Sequence, residues 1–179
     1  MVAALPVETP TLVTTYLHMT KRAQFRPAYI TVSGFGNGFD IQQMEAPDVP
    51  FYRFLYSSVG EMWHWRERNL LSDDKLHEIL TRAQVYVLFA GGMPAGYVEL
   101  EAQDESTEIT YFGLRPQFHG RGLGKHLLSH GIAQAWAGGA KRVWLHTCSL
   151  DGPYALDNYQ KRGFMIYDVH REPMPELFL

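Results

Sequence analysis

Leu114–Leu128 reads LRPQFHGRGLGKHLL, and the spacing of its glycines decides the fold. Gly120, Gly122 and Gly124 stand at alternate positions between two patterned segments. Upstream, Glu108–Leu114 (EITYFGL) carries the β-branched and aromatic residues of a strand. Downstream, Leu123, Leu127, Leu128, Ile132, Ala135 and Trp136 fall on one face of a helix over Gly122–Ala137, opposite Lys125, Ser129 and His130. Gly138-Gly139 stops it. A glycine turn between a strand end and a helix start lets backbone N–H groups approach a ligand, and the positive helix end favours an anion. Two phosphate loops are excluded by spacing. A Walker A loop needs Gly at 119 and Ser or Thr at 126, where His119 and His126 stand. A dinucleotide fingerprint opening at Gly120 needs a glycine where Lys125 stands.

The charge pattern points the same way. Sixteen Lys and Arg against nineteen Asp and Glu give −3, which argues against general nucleic-acid binding. Yet Ile109–Leu150 holds no acid, while Arg115, Arg121, Lys125, Lys141 and Arg142 lie within it. A basic field on an acidic protein serves a specific anion; Lys141 and Arg142 also suit a helix C-terminus. A chain of 179 residues buries enough surface as one domain to need neither metal nor disulfide. The single cysteine, Cys148, excludes an internal disulfide and fits a reducing compartment. No window approaches the roughly 20 apolar residues of a membrane span, and MVAALPVETP lacks a secretory pattern. A soluble cytoplasmic protein, with neither membrane nor nucleic acid as partner, is expected.

Around this centre the remaining elements follow. Thr11–Met19 and Phe39–Met44 suit strands, joined across Gly34, Gly36 and Gly38. Phe51–Ser58 suits a short helix after Pro50, and Ser72 caps a second one reaching about Thr81. Val85–Phe89 and Ala95–Leu100 flank Gly91-Gly92-Met93-Pro94 as a hairpin with a longer turn. Arg142–Thr147 is a buried strand, Ala155–Arg162 a short helix stopped by Gly163, and Phe164–Val169 a final strand. This order gives an α/β fold in one layered sheet.

Two motifs now coincide. Leu114–Leu128 resembles the acyl-CoA loop of the GNAT superfamily of N-acetyltransferases, Gln/Arg-x-x-Gly-x-Gly/Ala, with His119, Gly122 and Gly124 in register; Gln117, Gly120 and Gly122 also satisfy it. Downstream the family's Asn-x-x-Ala-x-x-x-Tyr-x-Lys-x-Gly-Phe is matched by Ala155, Tyr159, Lys161, Gly163 and Phe164, with Gly152 in place of Asn. The resemblance covers residues 85–179 well and 50–82 loosely. It implies a single GNAT-like domain whose mixed, mostly antiparallel sheet is flanked by helices and splayed at the acyl-CoA site. Residues 1–38 are expected as an extension packed on the acyltransferase domain of 39–179.

The resemblance also implies roles. Acetyl-CoA is the implied co-substrate, with no metal. Phe112, Gly113 and Leu114 would pair with its pantetheine arm, with Gly113 a bulge position. His119, Gly120, Arg121, Gly122, Leu123, Gly124 and Lys125 would cradle phosphates, His119 by donating a hydrogen bond, with Arg115 farther out. Asn158 would replace the missing Asn. Tyr159 is the candidate general acid and Glu108 the candidate base, with His146 and Tyr111 as alternates. Substrate contacts fall on Trp63, Trp65, Tyr111 and His146, within an aromatic cluster that includes Phe51, Tyr52, Phe54 and Tyr56. Glu61 and Arg66 would fix a polar end of the acceptor. The expected activity is acetyl transfer to a primary amine of a small molecule by direct attack; a homodimer is compatible with it. The alternatives are a non-catalytic acyl-CoA-binding module and a protein or peptide N-acetyltransferase. His126 and His130 have metal-ligand spacing but no third ligand, so a solvated helix face is expected there. Cys148 near His146 lacks an orienting third group, and there is no Gly-x-Ser-x-Gly elbow.

Overall fold

Val85, Tyr86, Val87 and Leu88 are all buried, so the strand they form, β3 (Ala83–Ala90), must be covered on both faces. Alternation along the strand sorts them. Tyr86 and Leu88 join a core with α3 (Leu123–Ala137), while Val85 and Val87 join another with α1 (Val49–Gly60) and α2 (Asp73–Arg82). The computed structural model describes residues 10–31 and 38–178; Gly34 and Gly36 fall outside them.

The other strands are β1 (Thr11–Met19), β2 (Phe39–Gln43), β4 (Met93–Gln103), β5 (Ser106–Leu114), β6 (Arg142–Cys148) and β7 (Met165–Pro173), with α4 (Ala155–Lys161) before the last. They form one sheet in the order β2-β3-β4-β5-β6-β1-β7. Only β5 and β6 run parallel, because α3 carries the chain back between them. The chain is thus a single α/β unit with a mixed, mostly antiparallel sheet and helices on both sides.

Local chemistry sets the boundaries. Asp48 accepts the Phe51 N–H at 2.9 Å to cap α1, which takes Pro50 into its first turn. Ser72 accepts the Lys75 N–H to cap α2. The β3–β4 turn is shorter than expected: Ala90 pairs with Met93, leaving only Gly91-Gly92 as the loop. Both have positive φ, as a two-residue turn compatible with strand twist requires.

Three expectations are corrected. Thr11–Met19, assigned by the sequence to an extension over 1–38, is a strand within the sheet, because β1 lies between β6 and β7 with a partner on each side. The bulge in β5 lies at Thr110, between the pairs Glu99–Tyr111 and Leu100–Ile109, and not at Gly113. The polar face of α3 is covered. Ser129 is fully buried and accepts the Ala28 N–H at 2.9 Å; His126 Nδ1 accepts the Ile30 N–H at 3.2 Å. Phe39 and Tyr29 pack edge-on against His126, and Tyr86 against His130.

The segment that covers α3 first crosses the end of α4. There the Arg26 N–H meets the Arg162 carbonyl at 2.9 Å, and Gly163 turns with φ +105°. A Cβ on Gly163 would lie 1.9 Å from the Gln24 carbonyl oxygen. Gly163→Ala is therefore expected to lower stability by about 2 kcal/mol or more, from left-handed strain plus the clash. Gly139, at φ +90° with no atom within 4 Å of a built Cβ, should lose only the strain. Thermal unfolding of the two variants should give the larger drop for Gly163→Ala.

Candidate active site

Pairing between β5 and β6 consists of Ser106–Arg142, Thr107–Val143 and Glu108–Trp144, and then ends. The two parallel strands diverge beyond Glu108, next to the bulge at Thr110. From Ile109 to Leu114 the β6-facing edge of β5 therefore has no strand partner, and such backbone groups need one from elsewhere. A cavity of about 850 Å³ occupies the gap.

One half of the cavity belongs to the glycine turn. Gly120 and Gly122 both adopt φ +76°, and Gly122 is the N-cap of α3 with no side chain closing the helix end. The first N–H groups of a helix without such a cap are unsatisfied donors at a positive dipole end. Gly120, Gly122, Gly124 and Lys125 line this half, with Phe112, Gly113 and Leu114 of β5 and Asn158 of α4. A Cβ on Gly122 would meet Ile30 and the Lys125 side chain at 3.2 and 3.3 Å. Leu123 is instead core, fully buried, and Arg121 is exposed over the Phe118 ring, outside the lining. His119 lines the cavity, but its Nε2 lies 2.9 Å from the Leu114 carbonyl. A carbonyl only accepts, so Nε2 carries a hydrogen and donates it there, leaving Nδ1 as the ring nitrogen for any other partner.

The basic field is smaller than the sequence implies. Arg115 donates to the Pro94 carbonyl at 2.8 Å and covers the Phe54 ring. Lys141 pairs with Glu105, and Arg142 lies over Trp144 and Tyr167. Arg121 and Lys125 remain beside the glycine turn.

The other half of the cavity is aromatic. Trp63, Trp65, Tyr111 and His146 line it. Trp65 lies edge-on to Tyr111 at 5.1 Å between ring centres, and Gly60 leaves room for its indole as Gly113 does for Val59. Trp63 packs on Gly152, where a Cβ would approach the indole to 3.3 Å; the glycine in place of Asn makes room for this ring. Tyr52 and Tyr56 are fully buried core, whereas Glu61 and Arg66 lie outside the lining. The polar residues from this loop that matter are Glu67, which lines the cavity, and Arg68, buried below it.

Arg68 donates to Glu99 at 2.7 Å, and the Tyr52 hydroxyl donates to the other Glu99 oxygen. Burial holds the Glu99 carboxyl above its ordinary pKa, while Arg68 and Tyr52 pull it back. The Arg68 guanidinium lies 5.1 Å from the centre of the Tyr111 ring. Burial pushes the Tyr111 phenol to about 12.

The candidate acid and base are placed differently from one another. Tyr159 lines the cavity, packed edge-on against Phe112 and Phe164. Burial, then Asp151 and Cys148, raise its pKa, so the phenol stays protonated. Glu108 is 7% exposed and does not line the cavity. One of its oxygens faces His146 Nδ1 at 3.4 Å and the other accepts from Gln103 at 3.0 Å. His146 is the group presented to the cavity, with its side chain 46% exposed. The Glu108 hydrogen bond raises its pKa against the opposing effect of burial, with Glu108, Asp151 and Glu67 adding charge.

Sequence reasoning missed β1's share of the lining, Leu12, Thr14 and Tyr16, along with Cys148, Asp151 and Phe178. The alternation of Leu12, Thr14 and Tyr16 marks one strand face; which strand it joins is a long-range property. Asp151 accepts from the Thr147 hydroxyl at 2.6 Å and the Cys148 N–H at 2.9 Å, fixing the turn after β6. Burial, then Asp151, push the Cys148 thiol up, which disfavours a nucleophilic thiolate. Among the described residues, no group of three His, Cys, Asp or Glu is placed to hold a metal ion, and no helix is long and apolar enough to cross a membrane.

The acetyltransferase (GNAT) family model matches residues 44–164. A mycothiol acetyltransferase from Corynebacterium efficiens is 30% identical over 118 residues, which is 62% of this chain and 40% of that protein. The chain thus spans two fifths of that relative's length. An acetyltransferase structure from Bacillus subtilis in complex with CoA is 25% identical, with a TM-score of 0.57 over 73% of this chain and 78% of its own. A GNAT-family structure from Novosphingobium aromaticivorans gives 0.64 at 18% identity, covering 94% and 67%, a likeness of fold.

Histidine titration checks the Glu108–His146 geometry. By NMR, His146 should titrate above the ordinary value near 6.5, while His126 and His130, both lowered first by burial, should titrate below it. Glu108→Gln should move His146 downward and leave the other two in place.

Proposed function

The chain belongs to the GNAT acetyltransferase family, and from that premise we propose that it transfers the acetyl group of acetyl-CoA to the primary amine of a small molecule. The observation that carries this reading is the meeting, in one cavity, of an unpaired strand edge, an uncapped glycine-turn helix end and a buried phenol. A group with peptide-like amides, a diphosphate and a thioester fits all three. The glycine turn with Lys125 suits the diphosphate, and the open edge at Phe112–Leu114 suits the amides. Asn158 lies on the same wall. The bound thioester supplies an electrophilic carbonyl and a thiolate leaving group. The relative named a mycothiol acetyltransferase and the CoA-bound structure support the same chemistry.

The chain's own residues then handle protons. An amine must shed a proton to attack, and neutral His146 takes it at the cavity wall; Glu108 behind it is a positioning residue that orients the ring and favours its charged form. Tyr159 holds a proton at its Oη for the departing sulfur. Burial keeps that proton in place at working pH. Aromatic walls keep water from competing for the acetyl group. Because His146 must be neutral to act, the rate should rise as pH climbs through its raised pKa.

Two substitutions test the assignment. Tyr159→Phe keeps the packing and removes the hydroxyl, so kcat and kcat/KM should fall about 10²- to 10⁴-fold with CoA affinity near wild type. A variant that turns over at the wild-type rate would remove Tyr159 from the chemistry. Gly122→Val should abolish the thermal stabilisation given by CoA while the protein remains folded. No stabilisation of wild type at millimolar CoA would sink the whole reading, and CoA binding without any acceptor turnover would leave the binding-module alternative.

A further inference from the structure

The walls of the cavity's aromatic half carry charge of one sign. Glu67 and Asp151 line the cavity, and Glu108 stands just behind His146. The one Lys or Arg in the lining among the described residues is Lys125, on the far side at the α3 N-terminus. A carboxylate or phosphate on the acceptor would find no Lys or Arg to meet it there, and burying such a group unpaired is costly.

Glu67 is held ready for a different partner. Its Oε2 accepts the Tyr56 hydroxyl at 3.0 Å and the Arg66 N–H at 3.2 Å. Its Oε1 has no hydrogen bond to a described residue. Tyr56 is itself immobile: it is fully buried, and its oxygen also accepts the Arg68 N–H at 3.3 Å. Trp63 and Trp65 precede Glu67 closely in the chain and line the same cavity. Indole faces attract cations, and a carboxylate beside them completes a box for an ammonium group. Tyr111 contributes less, because Arg68 already lies over its ring.

The reacting amine cannot be that ammonium, since it must be neutral at attack and lose its proton toward His146. We infer that Glu67, with Trp63 and Trp65, is a specificity site for a second positive charge on the acceptor, so that the preferred acceptors are diamines and related cationic amines without an acidic group. This rests on the acetyl-transfer reading above and adds the acceptor class.

The test uses the full chain with acetyl-CoA and three acceptors of equal carbon count: 1,4-diaminobutane, n-butylamine and 4-aminobutanoate. Thiol release should give the diamine a kcat/KM about 10- to 100-fold above the monoamine, as one charge-assisted hydrogen bond provides, with the amino acid lowest. Glu67→Gln should erase the diamine's advantage, bringing its kcat/KM to within about threefold of the monoamine's in the same variant. Equal use of diamine and monoamine, or an equal loss with all acceptors in Glu67→Gln, overturns the inference. A second readout needs no turnover: quenching of tryptophan fluorescence on titration with the diamine, weakened at least about tenfold in Glu67→Gln. Diamine binding that depends on Glu67, without acetylation, would uphold this site and refute the transfer reading. Acetylation of amines with no Glu67-dependent binding would do the reverse.

Discussion

Beyond Glu108 and Trp144 the two parallel strands part, and the cavity that holds the candidate site occupies the resulting gap. A sheet interrupted in its middle loses ladder hydrogen bonds along several residues, which the fold offsets only if both sides are independently held. On one side β4 pairs with β3 on one edge and with β5 on the other, and β3 and β4 are covered on both faces. On the other, β6 beyond Trp144 would stand alone without β1, which pairs with β6 from Thr14 to Met19 and brings β7 along. The N-terminal strand is thus a structural condition for the gap, and Leu12, Thr14 and Tyr16 make it part of the wall.

The aromatic half needs a second support, because its loop between α1 and α2 has little regular structure. Arg53 reaches under it to the Arg68 and Leu71 carbonyls at 3.0 and 2.7 Å and pairs with Asp73. Arg68 itself turns inward to Glu99. Such a buried pair adds little net stability over apolar packing, yet removing one partner costs about 3–5 kcal/mol. Its effect here is to fix the register of Trp63, Trp65 and Glu67 against β5. Arg68 Nε and the Tyr97 hydroxyl remain without protein partners in this core, so the network fixes position at some energetic cost.

What the sequence made legible was local. The apolar stripe from Leu123 to Trp136, the Ser72 cap and the glycine turn each follow from short-range rules, and their elements stand where those rules put them. What it hid was long-range or masked by polarity. Nothing in TLVTTYLHM says that it pairs with RVWLHTC more than a hundred residues away. Ser129 and His126 look like a wet helix face because their partners are backbone N–H groups of residues 28 and 30. Arg68 and Glu99 look like surface charges because each neutralises the other inside. Glu108 is the candidate base in the sequence, but strand pairing on both sides buries it and leaves His146 in front. Gly113 reads as the bulge, yet the extra residue falls three positions earlier.

In the function proposed above, the open edge of β5 and the bare end of α3 together receive acetyl-CoA. Amide hydrogen exchange with and without CoA tests it most directly, because it reads those N–H groups themselves. Binding should slow exchange in the open run of Ile109–Leu114 and in the first turn of α3 from Leu123, with little change in β3. Protection confined to other elements, or none at saturating CoA, would contradict the account.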